Sequence, residues 1–263
     1  MDNKVFKFEI HLAEHCNLKC QACDHFSQLA SKEFPKIESI KKDLIKMSEL
    51  LKNRFVNIYL LGGEPLLNSK IIDYFYMTRK IFNNDKTSIY LITNGLLLKS
   101  KNNDFWDACH ENNINIALSH YPININYGYI KSKCEQFKIK LKFFHSDDIV
   151  ESMYLTPISL DGSNNSNESF NSCNIASRCA FVKEGKLYAC PRVPNIYHFN
   201  QFFKTDLKIS EDDYLHLDKC QSFEDIKNYL QKPKDFCKYC NIKKFKSNVP
   251  WEKFVNKTLS YWT

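Results

Sequence analysis

The sequence predicts an α/β fold: a partial (β/α)6 barrel followed by a small C-terminal extension built on a β-hairpin and a helix. Three observations predict it. Strand and helix signals alternate between residues 5 and 144. Cysteine, glycine and short polar runs recur just past the strands, at the ends where β/α barrels carry their chemistry. The last third of the chain then changes character, with a hairpin signal and its own group of cysteines.

Residues 5–12 (VFKFEIHL) alternate, with Phe6, Phe8, Ile10 and Leu12 on one face and Lys7, Glu9 and His11 on the other, which is a strand. Residues 37–51 place Ile37, Ile40, Leu44, Met47 and Leu51 on one side of a helix. Residues 55–61 (FVNIYLL) form a second strand, ended by Gly62-Gly63-Glu64-Pro65, and a helix is expected over about 69–82. Residues 87–93 (TSIYLIT) form a third, ended by Asn94-Gly95, with a helix over about 102–112. Residues 114–118 (INIAL) form a fourth, ended by Ser119-His120-Tyr121-Pro122, with a helix over about 127–137. Residues 138–144 (KIKLKFF) form a fifth. Its Lys138, Lys140 and Lys142 suit a strand near an open edge, where lysine blunts aggregation; the alternative is a basic lining for the active site.

Residues 146–172, rich in Ser, Asn and Asp, read as the connection out of the barrel. Two short runs within 178–190 flank Lys183-Glu184-Gly185-Lys186, a hairpin signal. Ser222 with Asp225, followed by Ile226 and Leu230 at helical spacing from Phe223, reads as a capped helix. The tail WEKFVNKTLSYW reads as a packed terminal segment. The expected division is 1–155 for the barrel and 156–263 for the connection and extension.

Hydrophobic residues make up 43% and charged residues 25% of the chain, which excludes a wholly disordered protein. No apolar run approaches the roughly 18 residues of a membrane span, so no membrane partner is expected. The N-terminal stretch lacks a continuous apolar core and is not read as a signal peptide. The net charge is +7, from 37 basic and 30 acidic residues. Arginine occurs only at Arg54, Arg79, Arg178 and Arg192, and nucleic-acid readers lean on arginine for base contacts; nucleic acid is therefore not an expected partner. Eleven cysteines with no export signal point to the reducing cytosol, where clustered cysteines bind metal or do chemistry. The isolated Cys109, Cys134 and Cys220 read as small buried hydrophobes.

Cys16, Cys20 and Cys23 follow the first strand in a C-x3-C-x2-C spacing. Structural zinc asks for a fourth protein ligand. An iron–sulfur cube takes one ligand per iron, so three cysteines leave one iron open to a substrate or cofactor. An alternative joins Cys20 and Cys23 to Cys237 and Cys240 as the zinc ribbon of a non-enzymatic adaptor.

C-x3-C-x2-C after the first strand, with Gly62-Gly63-Glu64-Pro65 after the second, resembles the radical S-adenosylmethionine (SAM) superfamily, whose members use partial TIM-like barrels. The resemblance implies a [4Fe–4S] cluster on Cys16, Cys20 and Cys23. It implies SAM held by Gly62, Gly63, Glu64 and Pro65, whose backbone carbonyls take its amino group; glycine lets that backbone approach the ligand. Thr93 and Asn94 resemble the family's next ligand loop, near the ribose, and Ser119 a position that contacts the ribose or carboxylate. The family's usual aromatic before the third cysteine is Ala22 here, so adenine stacking is expected from elsewhere, such as Phe26 or Tyr121. His15 and His25 are given no catalytic role.

The spacing C-x11-G-x4-C…C-x2-C of Cys173, Gly185, Cys190, Cys237 and Cys240 resembles the auxiliary-cluster extension of these enzymes in its shortened form, a twitch rather than a full SPASM domain. It implies a second [4Fe–4S] cluster closed by four thiolates, with zinc as the alternative. Cys179 is left over, too close to Gly185 for the pattern.

The resemblance further implies a 5′-deoxyadenosyl radical that abstracts hydrogen. The expected substrate is a sugar, cyclitol or nucleotide-sugar, oxidised or epimerised at a carbinol carbon, with Lys7, Glu9 and His11 facing into the barrel as substrate contacts. A small barrel with a twitch extension is similar to the aminocyclitol dehydrogenases of antibiotic biosynthesis, and residues 170–262 resemble radical SAM proteins of polysaccharide gene clusters. A flavodoxin- or ferredoxin-type reductant is expected. The alternative is modification of a peptide or protein side chain; a first strand starting by residue 5 leaves no room for the N-terminal peptide-recognition domain common in that group.

Overall fold

The computed structural model describes residues 5–144, 148–176, 180–255 and 257–263. Five parallel strands, β1 (Phe6–His11), β2 (Val56–Leu61), β3 (Thr87–Thr93), β4 (Ile114–Leu118) and β5 (Leu141–Phe143), are joined in turn by α1 (Ile37–Leu50), α2 (Ile71–Ile81), α3 (Asn103–Glu111) and α4 (Tyr127–Gln136). The helices follow the apolar spacing: Ile71, Tyr74, Phe75 and Thr78 form the buried side of α2, and Asn102 caps α3 by accepting from Phe105 N. One sheet face, with Ile10, Ile58, Ile89 and Ile116, packs under these helices. The opposite face carries Tyr59, Leu61, Tyr90, Ile92 and Ala117 as a separate cluster.

The fifth strand is shorter than its sequence signal. The turn after α4 takes Phe137, Lys138 (φ +54°) and Ile139, so pairing begins only at Leu141. β5 is the edge strand, and Lys138 and Lys140 are exposed there. Lys142 turns inward instead, its Nζ 3.8 Å from the centroid of the Tyr90 ring.

The segment read as a plain connection holds two elements. β6 (Ser152–Leu155) pairs antiparallel with β10 (Lys246–Pro250). Its four residues had no partner nearby in sequence to reveal them. α5 (Ser166–Asn171) is capped by Asn165, whose side chain accepts from Asn167 N and Glu168 N.

The hairpin forms as β7 (Ala180–Lys183) and β8 (Lys186–Tyr188), through Glu184 (φ +52°) and Gly185 (φ +74°), a type I′ pair for which glycine is suited. It does not stand apart. β7 runs parallel to β1, pairing Phe8 with Ala180 and Glu9 with Phe181, so the sixth parallel strand lies on the β1 edge of the sheet rather than beyond β5. After α6 (Arg192–Phe203), β9 (Leu215–His216) extends the sheet to the order β5-β4-β3-β2-β1-β7-β8-β9. α7 (Phe223–Leu230) carries the expected Ser222–Asp225 capping box. The core does not stop at residue 155: Val182, Leu187, Leu217, Ile226 and Leu230 pack with the barrel's Phe8 and Leu44. A second core joins Phe26, Phe181, Tyr188, Phe199 and Trp262, which buries the tail's last tryptophan. Among the described residues, no helix is long and apolar enough to cross a membrane.

Asp43 on α1 is buried and accepts from Gly185 N at 2.7 Å, pinning the hairpin turn to the barrel. Burial pushes its carboxyl up to about 6, against the pull of the Gly185 and Glu184 amides. A carboxyl raised in the folded state favours folding below its ordinary value of 3.8, and that contribution is lost as the pH rises through 6. Asp43→Asn is expected to raise stability at pH 7.5 by on the order of 2 kcal/mol, with a smaller gain at pH 5, as read from urea unfolding midpoints.

Candidate active site

The C-terminal ends of β1 to β4 bring four loops together. Gly62 and Gly63, after β2, lie flat against the loop after β1. A Cβ on Gly62 (φ +151°) would stand 2.3 Å from Ala13 O, and one on Gly63 would stand 2.1 Å from His15 O. Gly63 N donates to Ala13 O at 2.8 Å and Glu64 N to His15 O at 3.1 Å. The glycines serve a close approach, as expected, but the backbone they approach is that of the cysteine loop.

Glu64 is 1% exposed. Its carboxylate accepts from Thr93 Oγ1 (2.7 Å), Asn94 N (3.0 Å) and Leu66 N (3.1 Å). Burial pushes its pKa up to about 6 against the pull of those donors. The carboxylate thus joins the β2 loop to the β3 loop, while the Glu64 carbonyl accepts from Leu67 N at 3.2 Å and keeps one lone pair for a ligand. Pro65 opens a short 3₁₀ turn, Pro65–Leu67, at a position that needs no N–H. The Thr93 hydroxyl is engaged as well, accepting from Gly95 N at 3.1 Å. Asn94 Nδ2 reaches into the cysteine loop, donating to Asn17 Oδ1 at 2.8 Å and to Cys16 Sγ at 3.8 Å. Ser119 N donates to Thr93 O at 3.0 Å, which seats the fourth loop beside the third.

Cys16, Cys20 and Cys23 lie within electrostatic reach of one another. Burial first, then the neighbouring thiols, pushes Cys20 up to about 11 and Cys23 up to about 12, and Cys16 is also raised. Free thiols so placed keep their protons at neutral pH, and a metal must displace them. Donors point at the sulfurs: Leu18 N at 3.4 Å on Cys16 and Trp251 Nε1 at 3.3 Å on Cys20. N–H groups aimed at sulfur fit cluster thiolates.

Cys173, Cys190, Cys237 and Cys240 form a second set, in which Cys173 and Cys240 lie within electrostatic reach of each other and of both Cys190 and Cys237. Burial raises Cys190 and Cys240 and pushes Cys237 up to about 12. Cys173 Sγ accepts from Ile175 N and Ala176 N, both at 3.3 Å. Among the described residues, no three His, Cys, Asp or Glu side chains are placed to hold a metal ion. A cube asks for a different arrangement, one thiolate at each iron. The zinc-ribbon pairing of Cys20 and Cys23 with Cys237 and Cys240 crosses the two sets. Cys179 lies outside the described residues. Cys109, Cys134 and Cys220 are buried in the main core, as expected.

Of the three inward-facing residues of β1, Lys7 is exposed and Glu9 half-buried. His11 is 3% exposed, and both its ring nitrogens are engaged: Nδ1 with Glu14 at 3.3 Å and Nε2 with His25 Nδ1 at 2.6 Å. β7 covers it, with Phe181 edge-on at 4.6 Å. As placed, His11 serves a buried network rather than a ligand. Glu14 also takes Lys183 Nζ at 2.9 Å and His198 Nε2 at 3.4 Å. Burial alone would raise Glu14, but hydrogen bonds from His11 and His198, with the Lys183 charge, hold it well below the usual carboxylate range. Phe26 is fully buried among Phe199 and Trp262 and is closed to adenine. Tyr121 is half-buried and stacks on Trp251 at 5.7 Å.

Arg192, 2% exposed, reaches across the two cysteine sets. Its Nε and Nη2 donate to Asp24 Oδ1 at 2.8 and 2.5 Å, and Nη1 to Thr156 O at 2.8 Å; it also hydrogen-bonds Cys240. Asp24 follows Cys23 directly, and Arg192 stands two residues past Cys190. That charges abut both motifs was readable in the sequence; their pairing was not. A cleft of about 620 Å³ opens elsewhere, lined by Glu211, Asp212, Asp225 and Lys232, and holds none of the expected site residues.

Residues 10–131 match the family model described as "Radical SAM superfamily". The chain carries a radical SAM domain. The structure described as "BtrN in complex with AdoMet and 2-DOIA" (AdoMet is SAM) superposes with a TM-score of 0.52 at 19% identity, covering 92% of this chain and 94% of that one. At that identity the likeness speaks for the fold, an α/β radical SAM fold with a mostly parallel sheet. Looser superpositions, from which nothing is taken, include "Native anSMEcpe with bound AdoMet" (TM-score 0.41, 17% identity, 53% of this chain and 44% of that chain). Another is Streptococcus suis SuiB bound to S-adenosylmethionine (TM-score 0.30, 14% identity, 76% and 56%). This chain spans less than half the length of the anSMEcpe chain. No curated protein matches it.

Two variants test how the radical SAM domain is held. Gly63→Ala forces the cysteine loop away, and reconstituted protein is expected to bind about four fewer iron atoms per chain than the wild type, measured by iron assay. Arg192→Gln leaves Asp24 without its ion-pair partner and is expected to cost about 3–5 kcal/mol in urea unfolding, with part of the loss recovered in the Arg192→Met, Asp24→Leu pair.

Proposed function

We propose that this radical SAM enzyme acts on a small carbohydrate-like substrate, a sugar, cyclitol or nucleotide-sugar, and oxidises or epimerises one carbinol carbon. The observation that carries the reading is the inner face of the sheet. Glu9, Tyr59, Tyr90 and Asn115 align at one level across four strands, and Lys142 lies over the Tyr90 ring. Aromatic faces beside amide, carboxyl and ammonium groups suit a polyhydroxylated ring, whose C–H edges stack and whose hydroxyls bond. The fold likeness to BtrN, solved with AdoMet and 2-DOIA, supports the same class.

When bound, the first cluster and SAM would supply a 5′-deoxyadenosyl radical by reductive cleavage of the sulfonium, and the second cluster a one-electron acceptor. Cys16, Cys20 and Cys23 would hold the first cluster and leave one iron for SAM. The backbone at Gly62, Gly63, Glu64 and Pro65, with Thr93, Asn94 and Ser119, would orient SAM. Cys173, Cys190, Cys237 and Cys240 would hold the second cluster, in an auxiliary unit within 156–263. Oxidation of H–C–OH to C=O would give up one hydrogen atom to the radical, one electron to the auxiliary site and one proton to solvent. A flavodoxin- or ferredoxin-type protein would supply the first electron.

Anaerobically reconstituted protein is expected to carry about eight iron atoms per chain and, with dithionite, to convert SAM to 5′-deoxyadenosine. Deuterium from a labelled sugar or cyclitol is expected to appear in that product. Iron near four atoms per chain with stoichiometric zinc would remove the second cluster, and transfer from a peptide but from no sugar would overturn the substrate class.

A further inference from the structure

Residues 251–255 lie alongside the cysteine loop as an antiparallel strap. Gln21 N donates to Glu252 O at 2.9 Å, Phe254 N to Lys19 O at 2.7 Å, and Cys20 bridges to Lys253. Val255 N closes the contact on Gln21 Oε1 at 2.9 Å. The strap carries Trp251, whose backbone N–H is fixed on Glu151 O at 2.8 Å. Its indole N–H donates to Cys20 Sγ at 3.3 Å, and its ring stacks on Tyr121, whose hydroxyl also hydrogen-bonds Cys20. One sulfur of the first site thus receives two side-chain donors, from elements that contain none of the cysteines.

We propose that Trp251 is a positioning residue for the first cluster: its indole N–H, seconded by the Tyr121 hydroxyl, holds the Cys20 sulfur and raises the cluster's reduction potential. The inference rests on the reading of Cys16, Cys20 and Cys23 as cluster ligands. Reduction adds one electron, delivered by the external reductant, and no proton moves or bond breaks. The added charge falls partly on the thiolate sulfurs, so a donor on sulfur binds the reduced form more strongly than the oxidised form. Trp251 acts through Cys20 and sets how readily the electron arrives.

The test is a redox titration of the reconstituted full chain, followed by electron paramagnetic resonance of the signal that SAM perturbs. Trp251→Phe keeps the stacked ring and removes the N–H. Expected is unchanged iron content with a reduction equilibrium about tenfold less favourable, equal to about 59 mV for one electron. Tyr121→Phe is expected to move the potential in the same direction, and the double variant further. Trp262→Phe removes an indole from the same tail whose N–H has no partner, and the potential is expected to stay put. A loaded Trp251→Phe protein with the wild-type potential overturns the proposal; if that variant fails to load, an unmoved potential in Tyr121→Phe overturns it. Wild-type protein that takes up no iron would overturn the cluster reading itself, and this proposal with it.

Discussion

Backbone packed on backbone shapes this site. Gly62 and Gly63 press against Ala13, His15 and Cys16 at distances that no side chain tolerates, and the course of the cysteine loop follows from that contact. The adjoining Glu64 then acts as a buried cross-tie: its carboxylate takes donors from two loops, and burying it without them would be costly. Cysteines on a loop need this support to keep a fixed arrangement, since loops are the mobile parts of a fold. Here the loop is braced from the side by the loops after β2 and β3 in addition to its own contacts.

The C-terminal half braces the same loop from the other side. β7 joins the β1 edge, and Glu14 draws His11, Lys183 and His198 from three elements onto one carboxylate. Arg192 and Asp24 tie the two cysteine sets by a second ion pair, in which Arg192 is buried and Asp24 half-buried. Buried pairs of this kind add little net stability, but breaking one leaves a charge stranded. They therefore fix geometry, and here they fix how the two cysteine sets sit relative to one another.

Much of this was legible in the sequence because it is local. Period-two alternation marked β1, apolar runs ended by turn residues marked β2 to β4, helical spacing marked α1, and Ser222 with Asp225 marked α7. The cysteine spacings and the GGEP turn marked the loops that the fold brings together, since short motifs carry their geometry with them. What escaped depends on partners far along the chain. Nothing in Ser152–Leu155 announces β10, and nothing in the hairpin at 180–188 says that it docks parallel to β1. His11 was read correctly as belonging to the face opposite Ile10, but its partner Glu14 acquires its role only when Lys183 and His198 arrive. Phe26 looked available for stacking until the second core closed over it. The glycines were read as glycines of close approach; which backbone they approach is a tertiary fact.

The strap across the cysteine loop has a consequence for biogenesis. Trp251 is 231 residues downstream of Cys20. At ribosomal speeds that interval is on the order of 10–45 s, during which the thiols of the N-terminal loop exist without the strand that will brace them. A nascent chain therefore passes through a stage with those thiols on a rim that the strap does not yet cover. Latching comes afterwards, so the order of translation is also an order of assembly.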